Sequence, residues 1–144
     1  MGILNRSTLP HLLALGCLAC SGSETFPVSH TTLKARFSQP DASSYLELTD
    51  QQVAQVISEL RIFISKNQPF ITSQFDAYYF QLTAYKSSGR NFVHINAFHQ
   101  NALKYCSEWR TSPVSVKGGG NDFWKARYSL DTRSVIELWA NADK

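Results

Sequence analysis

The longest regular pattern of apolar positions begins at residue 53. Val53, Val56, Ile57, Leu60, Phe63 and Ile64 recur at spacings of three and four, which places them on one stripe of an α-helix. Thr49 stands where an N-cap belongs, and Gln52 completes a capping box with it. Leu48 is placed to pack on Val53 as a hydrophobic staple. Pro69 ends the pattern. The spacing predicts one amphipathic helix over residues 50–66, with a stripe that needs a sheet to cover.

Beyond it the period changes to two. Residues 76–86 put Tyr78, Phe80, Leu82 and Ala84 on one face and Tyr79, Gln81, Thr83 and Tyr85 on the other. After a Ser-Ser-Gly turn, residues 91–99 alternate again, with Val93, Ile95 and Ala97 opposed to Phe92, His94, Asn96 and Phe98. This predicts a hairpin. Residues 100–112 read as irregular or briefly helical, and residues 113–117 as a short strand before a Gly-Gly-Gly-Asn turn. Residues 122–130 alternate Trp124, Ala126, Tyr128 and Leu130 against Phe123, Lys125 and Arg127. Residues 134–141 alternate Ile136, Leu138 and Ala140 against Val135, Glu137 and Trp139. The expected class is α+β: one N-terminal amphipathic helix on a curled antiparallel sheet of about five strands, in a cystatin-like or NTF2-like layout. The helix should meet Phe80, Leu82, Val93, Ile95, Trp124, Tyr128, Ile136 and Leu138.

Ahead of the helix the pattern is different. Residues 1–11 hold one Arg and no acid, Leu12 to Ala19 form a short apolar run, and Cys20-Ser21-Gly22-Ser23 follow. This is the order of a secretory signal, so residues 1–20 are expected to direct export. The run is far short of the ~20 residues that span a bilayer. Cys20, or less favourably Cys17, is a candidate lipidation site, with ordinary cleavage nearby as the alternative. The expected location is therefore the periplasm, the outer membrane through a lipid anchor, or the medium. Residues 21–44 are rich in Ser and Thr, contain Pro27 and Pro40, and read as a flexible tether to a single domain over residues 45–144. Within that domain Cys106 is alone, so no internal disulfide can staple it.

Composition narrows the function classes. Aromatic residues reach 12% and charged residues only 17%, which suits a sheet-rich domain. The net charge is +3 and the basic residues are scattered, so no nucleic-acid partner is expected.

Several strings carry a resemblance: Phe92-Val93-His94-Ile95-Asn96-Ala97-Phe98, Trp109, Gly118 through Trp124, Tyr128-Ser129-Leu130-Asp131-Thr132, and Trp139-Ala140-Asn141-Ala142. Together they resemble an uncharacterised family of small exported bacterial proteins, over about a third of the chain. The resemblance implies a strand pattern but no activity. Family members often carry a cysteine pair where this chain has His99 and Asp122, so it implies an ion pair in place of a disulfide. It also implies a glycine where this chain has Arg133.

Candidate chemistry is sparse. His94 and His99 are five residues apart in one strand and fall on opposite faces, Cys106 lies elsewhere, and no metal or other cofactor is expected. There is no Gly-x-Ser-x-Gly elbow. The triple glycine lacks the Lys-Ser/Thr and helix of a phosphate loop, and reads instead as a turn with positive φ. The helix-free face is richer. Tyr79, Tyr85, Phe92, Phe98, Phe123, Val135 and Trp139 project there among Gln81, His94, Asn96, Lys125, Arg127 and Glu137. Either other segments cover these aromatics or they form a contact surface. The expected function is a small exported binding or inhibitory module, non-enzymatic, using Tyr79, Tyr85, Phe92, His94, Phe98, Arg127, Glu137 and Trp139. Its partner would be a protein or small ligand outside the cytoplasm, with membrane contact only through a lipid anchor. The alternatives are a small cone-shaped enzyme or ligand binder with a His94–Glu137 pocket, and a structural envelope lipoprotein.

Overall fold

The computed structural model describes residues 26–27, 29 and 31–141. The expected export segment, with Cys17 and Cys20, lies outside the described residues. Among those described, no helix is long and apolar enough to cross a membrane.

The chain is α+β. Helix α1, Asp50–Asn67, starts at the predicted cap: Thr49 and Gln52 form the full capping box, with Thr49 N donating to Gln52 Oε1 at 2.9 Å. Its stripe of Val53, Val56, Leu60 and Ile64 is buried. Pro69 stops it and opens a short helix, α2, Pro69–Ser73, whose Ile71 joins the same core. Four strands then form a meander: β4 Tyr78–Ser87, β5 Arg90–His99, β6 Phe123–Ser129 and β7 Ser134–Ala140. The β4–β5 turn is a two-residue hairpin, with Ser88 at φ 48° and Gly89 at φ 77° and Ser87 paired to Arg90. The helix stripe covers Tyr78, Phe80, Leu82, Val93, Ile95, Trp124 and Tyr128, as the alternation requires. Ala84, Ala97 and Ala126 are buried in the same cluster.

The structure departs from the sequence expectations in four places. The sheet is mixed rather than antiparallel. The two-residue strand β1, Phe26–Pro27, pairs with β2, Thr32–Lys34, and β2 runs parallel to β4. Strand β3, Ser44–Tyr45, pairs antiparallel with β4 at Lys86 and Tyr85. Among the described residues the sheet thus has seven strands, in the order β1-β2-β4-β5-β6-β7 with β3 also on β4. Residues 31–44, expected as tether, are therefore built into the domain. Leu33 is 1% exposed, and Lys34 Nζ reaches Asp50 of α1 at 2.9 Å. Ser/Thr/Pro content hid the short alternation of Leu33, Ala35 and Phe37.

The second departure is at residues 113–117, which form no strand. They are extended but lie over the sheet rather than in it. The triple glycine does take positive φ, at 81°, 88° and 50°, yet it leads into a short 3-10 turn, Gly120–Asp122, rather than joining two paired strands. The third is a β-bulge. Tyr128 pairs with Val135 and Arg127 with Glu137, which leaves Ile136 without a partner. The bulge reverses the faces at this end of β7. Val135 packs on the helix-side core, and Ile136, expected against the helix, is 43% exposed. The fourth concerns His99. It makes no ion pair with Asp122, and its Nδ1 accepts from Asn101 N at 3.2 Å as a cap.

The β6–β7 turn is tied down by Asp131, which accepts from Asn91 N and Asn91 Nδ2, both at 3.0 Å. Arg133 in this turn sits at φ 54°, where L residues are strained by the contact of Cβ with the backbone. Arg133→Gly should raise stability by about 1 kcal/mol, the typical cost of that region less the entropy of the unfolded glycine. Urea unfolding of the two proteins checks it; an unchanged or lower midpoint would show that the turn carries no such strain.

Candidate functional site

Register sets out the helix-free face as rows of side chains across the sheet. Tyr79, Phe98 and Phe123 form one row, Gln81, Asn96, Lys125 and Trp139 the next, and Thr83, His94, Arg127 and Glu137 the third. Tyr85 and Phe92 follow.

Segment 100–116 covers the first row. Trp109 meets Tyr79 and Phe98 edge-on at centroid distances of 5.2 and 5.7 Å, and Tyr79 stacks on Phe98 at 5.6 Å. With Leu33, Ala35, Ala102 and Val114 these rings make a second apolar core on the side away from the helix. Tyr79 and Phe98 are thus structural rather than available for contact. Cys106 packs against the same cluster, and burial pushes its thiol pKa up, away from reactivity at neutral pH.

What holds this cover is the second row. Gln81 is 1% exposed, and its Nε2 donates to Trp109 O at 2.5 Å and Ser112 O at 2.8 Å. Its Oε1 accepts from Val114 N at 2.9 Å and from Asn96 Nδ2 at 2.8 Å. Asn96 Nδ2 also donates to Val114 O at 2.7 Å. Two opposed strand amides thereby satisfy a loop backbone that has no ladder of its own.

The other end of the face is covered by residues 35–43, which arch from β2 to β3. Phe37 N donates to Thr83 Oγ1 at 3.4 Å, and Ser43 N to Lys86 O at 2.8 Å. Asp41 of this strap lies 3.6 Å from Arg127, which is bonded to Glu137 at 2.7 Å. The guanidinium of Arg127 also lies beside the Tyr85 hydroxyl and 5.2 Å from the Phe92 ring centre. Tyr85, at 2% exposed, and Phe92 are therefore buried parts of this cluster.

Between the two covers a groove of about 320 Å³ remains open. Its floor is Gln81, Thr83, His94, Asn96 and Lys125, and its walls are residues 37–40 on one side and 113–115 on the other. Of the eight expected contact residues, only His94 lines it. Trp139, 45% exposed, lies next to it as the cross-strand partner of Lys125. Thr83, Lys125 and the two walls were not among the expected residues. The alternation already put Thr83 and Lys125 on this face, but nothing local marked the walls, which the topology brings in from distant chain. The His94–Glu137 pair does not form. Arg127 stands between them in the register and takes the carboxylate.

Burial lowers the His94 pKa from 6.5 to about 4, helped by the positive charges of Lys125 and Arg127 and opposed by Asp41. The ring is therefore neutral at pH 7, with one N–H and one free lone pair. No family model, no curated protein and no solved structure matches this chain.

Two outcomes follow from this geometry. Gln81→Leu strands the carbonyls of Trp109 and Ser112 and the Val114 N–H, and should destabilise the domain by about 2–4 kcal/mol. Urea unfolding, with limited proteolysis across 100–116, reads both the loss and the release of the cover. The pH dependence has a definite sign. The unfolded chain takes up a proton on His94 near 6.5 and the folded chain only near 4. The stability of the neutral ring is thus complete above 6.5 and is lost as pH falls toward 4. Across that window the native protein should lose on the order of 2 kcal/mol more than His94→Gln does, after discounting for partial solvent access. Parallel pH curves for the two proteins would contradict the assignment.

Proposed function

We propose that this chain is a non-catalytic binding module that works outside the cytoplasm and seats a small ligand in the groove of the helix-free face. The observation that carries the reading is the groove itself. Two unrelated stretches of chain cover the sheet on either side and leave its polar middle open. The covers bury most of the aromatic side chains, so the expected flat aromatic contact surface shrinks to Trp139 beside the groove. This favours a small ligand over a protein on this face.

Export is supported by the order of basic, apolar and small residues in the first twenty, and by the resemblance of Asn91 to Ala142 to small exported proteins. A cystatin-like or NTF2-like layout is supported by the order of one long helix followed by a four-strand meander. The enzymatic alternative has less support, because among the described residues no carboxylate lines the groove, and the nearby Asp41 and Glu137 are both engaged by Arg127.

The test is nuclear magnetic resonance of the labelled protein against a panel of small aromatic and polar compounds. Ser115 is exposed on the groove wall, so Ser115→Trp should fill the space without disturbing either core. The expected result is a set of shifts centred on Thr83, His94 and Lys125 that Ser115→Trp abolishes. Shifts that persist in the plugged variant, or none with any compound, would refute the reading.

A further inference from the structure

The groove's charge and donor pattern go further than its shape. Among the described residues, Lys125 is the one lining it that carries a formal charge at neutral pH. Among the described residues Lys125 has no ion-pair partner, whereas neighbouring Arg127 is held by Glu137 and Asp41. Among the described residues no Asp or Glu lines the space, and the nearby Asp41 is drawn to Arg127. The amide hydrogens of Gln81 are committed to the covering segment, and those of Asn96 to Val114 O and Gln81 Oε1. The side-chain groups left to face a ligand are the Lys125 ammonium, the imidazole of His94, the hydroxyls of Thr83, Ser38 and Ser115, the Gln39 amide and Asn96 Oδ1. All but Asn96 Oδ1 can donate hydrogen bonds. The walls add Phe37 and Pro40 on one side and Pro113 and Val114 on the other.

We propose that the groove binds a small flat monocarboxylate, with its anionic end at Lys125 and Thr83 and its apolar body between the Phe37–Pro40 and Pro113–Val114 walls. The inference rests on the groove being the binding site. One free ammonium balances one negative charge. A dianion such as a phosphate monoester would find no second cation free, since Arg127 is already paired. The facing apolar walls select a planar body over a sugar, whose hydroxyls would meet few partners there. The volume of about 320 Å³ lies at the small end of ligand pockets, which fits a single-ring acid.

The experiment titrates the full chain with benzoate and with its neutral isostere benzamide, read by calorimetry and by amide shifts. Benzoate should bind about tenfold tighter than benzamide, the difference expected of a charge-assisted hydrogen bond. Lys125→Met should remove that difference. Lys125→Gln serves the same purpose if the Met variant does not fold, and the comparison of the two compounds on the native chain needs no variant. If benzamide binds as well as benzoate, or Lys125→Met keeps the preference, the carboxylate class is wrong while the groove stands as a site. If neither compound shifts Thr83, His94 or Lys125 at millimolar concentration, the carboxylate class falls; the binding-groove reading falls as well only if the rest of the panel also gives no shift.

Discussion

The amide of Gln81 lies at the centre of the helix-free side. It is almost wholly buried, and every hydrogen and lone pair of its head group is directed at a partner on the covering segment or at Asn96. Without that exchange residues 109–114 would carry unpaired backbone groups against an apolar surface, at a cost of about 1–3 kcal/mol for each group. With it, an irregular stretch of chain can sit as closely on the sheet as a strand or helix would. The rings of Trp109, Tyr79 and Phe98 then form a second core. The sheet is thus packed on both faces, by a helix on one and by loop on the other.

The groove follows from the limits of that arrangement. The covering segment reaches the sheet as far as Val114, where the Gln81–Asn96 pair holds it. The strap from β2 to β3 reaches from the other side as far as Thr83 and the Arg127 cluster. Neither extends over His94. The sheet middle therefore keeps polar side chains, and their desolvation shows in the lowered pKa of the His94 ring. Lys125, which has no ion-pair partner among the described residues, lines the groove between the two covers.

Much of this was legible from residue order, and the reasons for the rest are specific. The capping box, the helix stripe and the alternation of β4 to β6 depend on neighbours within a few residues, so the order of residues displays them. The bulge at Ile136 is different. A single unpaired residue leaves no trace in the alternation until the strand it opposes is known. Strand β2 was missed because it is three residues long and its partner lies about fifty residues on. The walls of the groove share that origin. Phe37 and Pro40 belong to a stretch that reads as linker, and Pro113 to one that reads as strand, and only the fold makes them face one another.

The parallel pairing of β2 with β4 has a consequence for how the domain assembles and opens. The meander and α1 bring together partners close in sequence, and their core of Val56, Leu60, Val93 and Trp124 is complete without residues 31–43. The strap must instead close a loop around the whole helical region before its few bonds to β4 are made, and loop closure of that length is entropically slow to be repaid. Its release would break the short β2 and β3 pairings and the Lys34–Asp50 and Asp41–Arg127 ion pairs, and would uncover Leu33 and Ala35 of the second core, while the main core keeps all its members. One rim of the groove is therefore held by shorter pairings than the helix and the four long strands are.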